Sequence, residues 1–326
     1  MTPKLITSQA YTRHVLRAIQ LAQKRVYVLA LIIQQDEDAA HILTALIRAA
    51  HRGVDVNVIA DFSTIAYAEG HLNPYYGFID QVRTGRDMAN RLHAAGARFT
   101  WVGQRSPFLF AGRTHSKWII TDDSVYCFGG INLHTRFTNE ADFMFVQRDK
   151  TLARILVEEH HAILDAESRD TASISRAINH ELGTLLIDGG IPFDSIIYRR
   201  AVRLVRSSRD VLMATQYCPT GRLASALKQT NFKVFYNAPK TADLFTDLLI
   251  ATSQKVTNIP NLYNRTPYIH AKFLIATDEH GSKTAITGSH NFISYGGMLG
   301  TREIALMTQD KAIIESLEDF FERYIA

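Results

Sequence analysis

Cysteine is scarce in this chain, with two residues, Cys127 and Cys218, among 326. Two thiols make neither a disulfide framework nor a metal-ligand spacing. Cys127 stands beside Phe128 in an apolar run and reads as core. A reducing, cytoplasmic setting is the simplest expectation. Long hydrophobic runs are missing too. The longest near the N-terminus, Val26 to Ile33, falls far short of the roughly 20 residues a spanning helix needs. The opening Met1-Thr2-Pro3-Lys4-Leu5 does not lead into a signal-peptide apolar region. Any membrane contact is therefore expected to be peripheral. Neither sign of charge dominates, since 36 Lys and Arg against 32 Asp and Glu leave a net +4. That mild excess fits an anionic lipid surface, a nucleic acid or a plain soluble protein. No group of carboxylates stands at two-metal spacing.

What the chain has in quantity is apolar residues, 46% of the total, enough for a large core. They fall in two similar series. The first opens with a helical pattern at Tyr11, Val15, Ala18, Ile19 and Ala22, followed by a buried-type strand from Val26 to Leu31. A helix from about Asp38 to Ala50 closes at Gly53, and a strand runs from Val54 to Ile59. The second series predicts a helix over Ser195 to Arg206 and a strand over Val211 to Thr215, then a helix over Thr220 to Gln229 and a strand over Phe232 to Tyr236. Alternating strands and helices imply an α/β fold with mostly parallel or mixed sheets covered on both faces. We divide the chain at residues 1–180 and 181–326, with residues from about 150 to 185 as helix and linker. The C-terminal stretch Lys311 to Ile325 reads as an amphipathic helix. Its polar face is acidic, which favours core packing over a membrane.

A short pattern occurs once in each half. The first copy is His115-Ser116-Lys117, then Asp122, then Gly129-Gly130-Ile131-Asn132. The second is His270-Ala271-Lys272, then Gly288-Ser289-His290-Asn291. On a strand, period two would put each His and Lys on one face. A single His-x-Lys is ordinary surface chemistry. A second copy with the same companions in the same order is not. An acid follows each Asn, Asp142 in the first half and Glu303 in the second. The position matching Asp122 is Thr277, with Asp278 one residue later, so a catalytic role for Asp122 is doubtful. His134 and His290 flank the motifs and read as local hydrogen-bonding residues.

The pattern H-x-K-x4-D followed by G-G/S-x-N resembles the phospholipase D superfamily, the two-motif phosphodiesterases and phosphatidyltransferases. The resemblance spans both halves. It implies two phospholipase D-like halves packed with pseudo-twofold symmetry around one site, so that a monomer suffices. It further implies His115 as nucleophile through a covalent phospho-histidine and His270 as acid and base. Lys117, Lys272, Asn132, Asn291 and Ser289 would hold the phosphoryl oxygens, with Asp142 and Glu303 behind the imidazoles and Gly130 and Asp122 in support. No cofactor or metal enters this scheme, and a lysine two residues from each His would repel a cation.

For the substrate, Gly129 to Asn132, Tyr268 to Lys272 and the apolar approach Pro107-Phe108-Leu109-Phe110 are similar to cardiolipin synthases and related phosphatidyltransferases. A phospholipid, with an alcohol or water as acceptor, is the favoured reading. The alternative is a metal-independent nuclease acting on DNA or RNA, which Gly288 to Phe292 also resembles. A catalytically dead binding protein is disfavoured because both His-Lys pairs and both Asn are intact. Pairing Val26 with Val211 and His115 with His270 gives offsets of 185 and 155 residues. About 30 extra residues therefore fall in the first half. Ser63 to Arg86 is the candidate insertion, either a lid or decoration.

Overall fold

The computed structural model describes residues 2–33, 37–62, 77–103, 112–133, 140–239, 244–294 and 299–326. Their strands form two sheets of seven. The first holds β1 (Lys4–Thr7), β2 (Arg25–Ala30), β3 (Asp55–Asp61), β4 (Arg98–Val102), β5 (Trp118–Thr121), β6 (Ser124–Cys127) and β7 (Phe143–Arg148), in the order β1-β7-β6-β5-β2-β3-β4. The second holds β8 (Arg176–His180), β9 (Gly183–Gly189), β10 (Asp210–Ala214), β11 (Asn231–Phe235), β12 (Phe273–Thr277), β13 (Lys283–Gly288) and β14 (Arg302–Thr308), in the order β11-β10-β12-β13-β14-β9-β8.

Read from opposite ends, the two orders share six corresponding strands, with β4 and β8 the unmatched ones. β2 and β10 each carry a parallel neighbour on one side and an antiparallel hairpin on the other. Strand β4 has no counterpart in the second sheet and accounts for part of the extra length of the first half. The sheets are mixed. Parallel pairing is confined to β2-β3-β4 and β10-β11, where helices cross over. The motif-bearing segments β5-β6-β7 and β12-β13-β14 pair antiparallel instead, with a short turn between β5 and β6 and between β12 and β13. The stretch read as a linker contains the β8-β9 hairpin, so the division at 180/181 falls in its turn, inside the second sheet.

Eight helices are described: α1 (Ser8–Leu21), α2 (Glu37–His51), α3 (Gly77–Ala94), α4 (Lys150–Ser168), α5 (Ile196–Arg206), α6 (Gly221–Leu227), α7 (Leu244–Thr257) and α8 (Lys311–Tyr324). Strand β2 shows why its sequence is apolar throughout. Val26, Val28 and Ala30 face the cluster under α1 and α2, while Tyr27 and Leu29 face the opposite cluster. That opposite cluster belongs to both halves. It joins Leu29, Trp118 and Phe143 of the first sheet to Phe273 and Ile304 of the second, with α4 and α8 among them. Helix α8 is capped by Asp310, whose carboxylate accepts the Ile313 N–H at 3.0 Å. It buries Ile313, Ile314, Leu317, Phe320 and Phe321, as its amphipathic pattern predicts. Phe320 meets Phe143 with ring centroids 4.9 Å apart, tying the C-terminal helix to the first half. Among the described residues no helix is long and apolar enough to cross a membrane.

Of the Ser63 to Arg86 insertion, residues 63–76 lie outside the described residues and the remainder falls in α3. His134, Phe108 and Phe110 also lie outside them.

Candidate active site

The two His-x-Lys segments lie just ahead of β5 and β12 rather than within them. The backbone there is committed elsewhere. His115 and Ser116 donate their N–H groups to the Arg302 carbonyl at 2.8 and 3.1 Å, and Arg302 donates its own N–H to the Arg113 carbonyl at 2.8 Å. The second copy repeats this on the first half. His270 and Ala271 donate to the Ala141 carbonyl at 3.1 and 3.0 Å, and Ala141 donates to the Tyr268 carbonyl at 2.9 Å. Thr114 with Arg302 and Ile269 with Ala141 are thus short parallel bridges between the halves. Each motif is registered by the half it does not belong to.

The side chains cross over in the same way. Nδ1 of His115 lies 3.0 Å from both carboxylate oxygens of Glu303. Nδ1 of His270 lies 2.7 Å from Oδ2 of Asp142. Each ring is thereby oriented by an acid from the opposite sheet, which fixes the Nδ1–H tautomer. Each lysine folds back on its own motif. Lys117 Nζ donates to the His115 carbonyl at 2.8 Å, and Lys272 Nζ donates to the His270 carbonyl. The period-two expectation holds locally, then, although the segment is not in a sheet ladder.

Behind Glu303, Ser289 Oγ donates to Oε2 and accepts the Ile304 N–H at 3.0 Å. The matching position in the first half is Gly130, where a β-carbon would stand 2.6 Å from Asp142 Oδ2 and 2.6 Å from the His270 carbonyl. A side chain at 130 is thus excluded by the shorter acid packed against it. Asn132 and Asn291 are buried, and the Oδ1 of each has no hydrogen-bond partner among the described residues. Two orphaned amide oxygens beside the motifs ask for hydrogen-bond donors.

Burial is the largest influence on every charge here. It pushes Lys117 down, with repulsion from Lys272 adding to it, to about 7 against the pull of Glu303, Asp142 and Asp61. Lys272 falls to about 8 by burial, opposed by Asp142, Glu140 and Glu303. His115 is lowered by burial, opposed by Glu303 and reinforced by Lys117. Burial raises Asp142 to about 6 despite the nearby lysines and the Phe143 N–H. Glu303 goes the other way. Burial pushes it up, but His115, His290 and Lys117 together hold it at about 2. The two acids are therefore unequal. Glu303 is ionised throughout the physiological range, whereas Asp142 titrates just below it.

Asp122 is not brought to the site. Its carboxylate accepts N–H groups from Gln23, Lys24 and Arg25 at 2.8 to 3.1 Å, pinning the turn between α1 and β2. Asp278 does similar work in its own hairpin, accepting from His280 and Ser282. His290 is buried, and its Nδ1 accepts the Phe292 N–H at 2.8 Å, the local bond expected of it. One cluster among the described residues, Asp149, His180 and Glu181, brings possible metal-ligating atoms within 4.8 Å of one another. None of the motif residues belongs to it, and His180 Nδ1 already accepts the Leu182 N–H. Sequence reasoning missed Asp61 and Asn237, buried side chains that hold the residues just before each catalytic-motif His. The only signal was a polar residue ending or following an apolar parallel strand, the end where α/β sites form.

Residues 15–164 match the family model described as the cardiolipin synthase, phospholipase D-like domain. The second half repeats its strand order and its motif. The first half of the chain thus carries a phospholipase D-like domain. The fold of the chain is similar to that of phosphatidylserine synthase from Haemophilus influenzae Rd KW20, with a TM-score of 0.74 and 14% identity over 99% of this chain and 87% of that one. It is also similar to polyphosphate kinase from Porphyromonas gingivalis, with a TM-score of 0.62 and 12% identity. That match takes in 98% of this chain and 50% of the kinase. At these identities the likeness is one of fold. No curated protein matches the sequence.

Proposed function

We propose that the protein transfers or hydrolyses the phosphatidyl group of phospholipids, exchanging one alcohol for another or for water through a phospho-histidine. The observation that carries this reading is the crossed pair His115–Glu303 and His270–Asp142, flanked by two buried lysines. A phosphodiester resists attack because it is anionic, so its oxygens must be neutralised before a nucleophile approaches. Lys117 and Lys272 supply the charge, and the two asparagines supply hydrogen bonds. His115 is the nucleophile: lowered by burial and held through Nδ1 by an ionised Glu303, it presents an Nε2 lone pair to phosphorus. As the P–N bond forms, the bond to the leaving alcohol breaks, and His270 donates its Nε2 proton to that oxygen. An incoming alcohol or water then gives a proton back to His270 and attacks phosphorus, and the P–N bond to His115 breaks. The fold shared with phosphatidylserine synthase and the cardiolipin synthase-like family match support a lipid substrate. A peripheral encounter with a bilayer surface belongs to this reading.

The test is product analysis with purified protein in EDTA, using mixed phospholipids with glycerol and serine as acceptors and single- and double-stranded nucleic acids in parallel. New phospholipid or phosphatidic acid, absent with His115→Ala, is the expected result. Cleaved nucleic acid with untouched lipid would move the assignment to a nuclease, and activity lost in EDTA and restored by a divalent metal would sink the phospho-histidine route.

A further inference from the structure

The crossed bridges leave one backbone group in each motif unserved by the opposite half. In a parallel bridge, the residue at the centre points its own N–H away from the partner strand. Here those residues are Thr114 and Ile269, each immediately before the reactive histidine. A buried N–H needs an acceptor. For Thr114 it is Oδ2 of Asp61, at 2.7 Å. For Ile269 it is Oδ1 of Asn237, at 2.8 Å. Asp61 ends β3, and Asn237 lies two residues beyond the end of β11, the equivalent strand of the second sheet. Both side chains are buried, Asp61 at 0% and Asn237 at 1% exposure. Neither is a chance contact of one half, because the same support recurs at the same structural position in both.

The two supports differ in charge. Asn237 is neutral and uses its amide hydrogens as well, donating to the Gln216 carbonyl at 3.0 Å and the Ile269 carbonyl at 2.8 Å. Asp61 brings a carboxylate, matched by Arg113 Nε at 2.9 Å. Arg113 reaches this position because residue 103 is a glycine, whose missing β-carbon would meet the Arg113 side chain at 2.7 Å.

The geometry points to Asp61 and Asn237 as positioning residues that set the placement of the two His-x-Lys segments. The inference rests on the two-histidine reading above and names what holds that site in shape. The second half does with Asn what the first half does with Asp.

The test uses the full chain with bis(p-nitrophenyl) phosphate as a lipid-independent substrate and orthovanadate as a binding probe, from pH 5.5 to 9. Asp61→Asn keeps an acceptor for the Thr114 N–H, and its turnover is expected to stay within about threefold of wild type. Asp61→Ala loses the acceptor, and turnover is expected to drop about 100-fold at every pH, the scale of a small misplacement of reacting groups. Asn237→Ala should behave like Asp61→Ala. Activity retained by Asp61→Asn where Asp61→Ala loses it is the signature of positioning. Wild-type turnover in folded Asp61→Ala or Asn237→Ala overturns the positioning role, and if either fails to fold, loss of activity in Asp61→Asn does the same. Wild-type protein that neither cleaves the diester nor binds vanadate overturns the catalytic reading itself, and the inference with it.

Discussion

His115 and Glu303 stand 188 residues apart in the chain, and Nδ1 of one lies 3.0 Å from both oxygens of the other. The acid that follows the motif of its own half, Asp142, serves His270 instead. The crossing gives a specific expectation. Glu303→Gln should disturb the Nδ1 proton of His115 in nitrogen-detected NMR and leave that of His270 in place. Asp142→Asn should do the reverse. Each should lower turnover about 100-fold or more, since a histidine without its orienting acid loses its tautomer. A disturbance confined to the histidine of the same half would contradict the crossed arrangement.

Turnover should be bell-shaped in pH. Both lysines must be protonated to bind phosphoryl oxygens, and the lower of them, Lys117, titrates at about 7. The rate therefore falls as pH rises through that value. Asp142 titrates at about 6, and once protonated it no longer supports the His270 imidazolium. The rate falls again as pH drops below that. Asp142→Asn should flatten the acid limb while lowering the plateau. A profile of kcat/KM that is level from pH 5 to 9 would be incompatible with these charges.

Positions 130 and 289 are equivalent in the fold and should differ under mutation. Gly130→Ala drives a methyl group against Asp142 and the His270 carbonyl, both 2.6 Å away. It should cost about 1–3 kcal/mol of stability and most of the activity. Ser289→Ala removes the hydrogen bond to Glu303 and the acceptor of the Ile304 N–H and leaves no clash. It should cost about 2 kcal/mol and leave measurable turnover. Urea midpoints and initial rates of the two variants decide the comparison.

His160 offers a test away from the site. It is buried between Tyr27 and Trp118, and its Nδ1 accepts the Trp118 indole N–H at 3.4 Å. Burial lowers it from 6.5 to about 3. A buried neutral histidine stabilises fully above its unfolded value, and that stability drains away as pH falls from 6.5 towards 3. The slope is about 1.4 kcal/mol per pH unit. His160→Leu should therefore gain on wild type by about 2 kcal/mol between pH 6.5 and 5. A wild-type-minus-variant difference that stays constant across that range would show that His160 is not held neutral.

Much of this was legible in the chain because it is local or periodic. The continuous apolar run of β2, the amphipathic stripe of α8 and the helix from Ser195 each show in a few consecutive residues, and so does the doubled motif. The hairpin β8-β9 did not show, because Arg176 to His180 is an edge strand with only partial burial and no clean apolar alternation. The sheets are mixed because the hairpins that carry the motifs turn back on themselves. Asp61 and Asn237 stayed hidden for a different reason. Asp61 precedes its histidine by 54 residues and Asn237 by 33, so no spacing rule links them. Which acid serves which histidine is a property of docking and leaves no mark on either half.

The crossed contacts also set an order of events during folding. Helices and hairpins form from near neighbours, but the two His–acid contacts close loops of 188 and 128 residues. Contacts that distant are entropically the last to be rewarded. Each sheet can complete most of its own ladder before the halves meet, whereas the reactive geometry cannot exist until they have. On refolding, regained helical signal should run ahead of regained turnover, and the interval between them measures the time the two halves take to find each other.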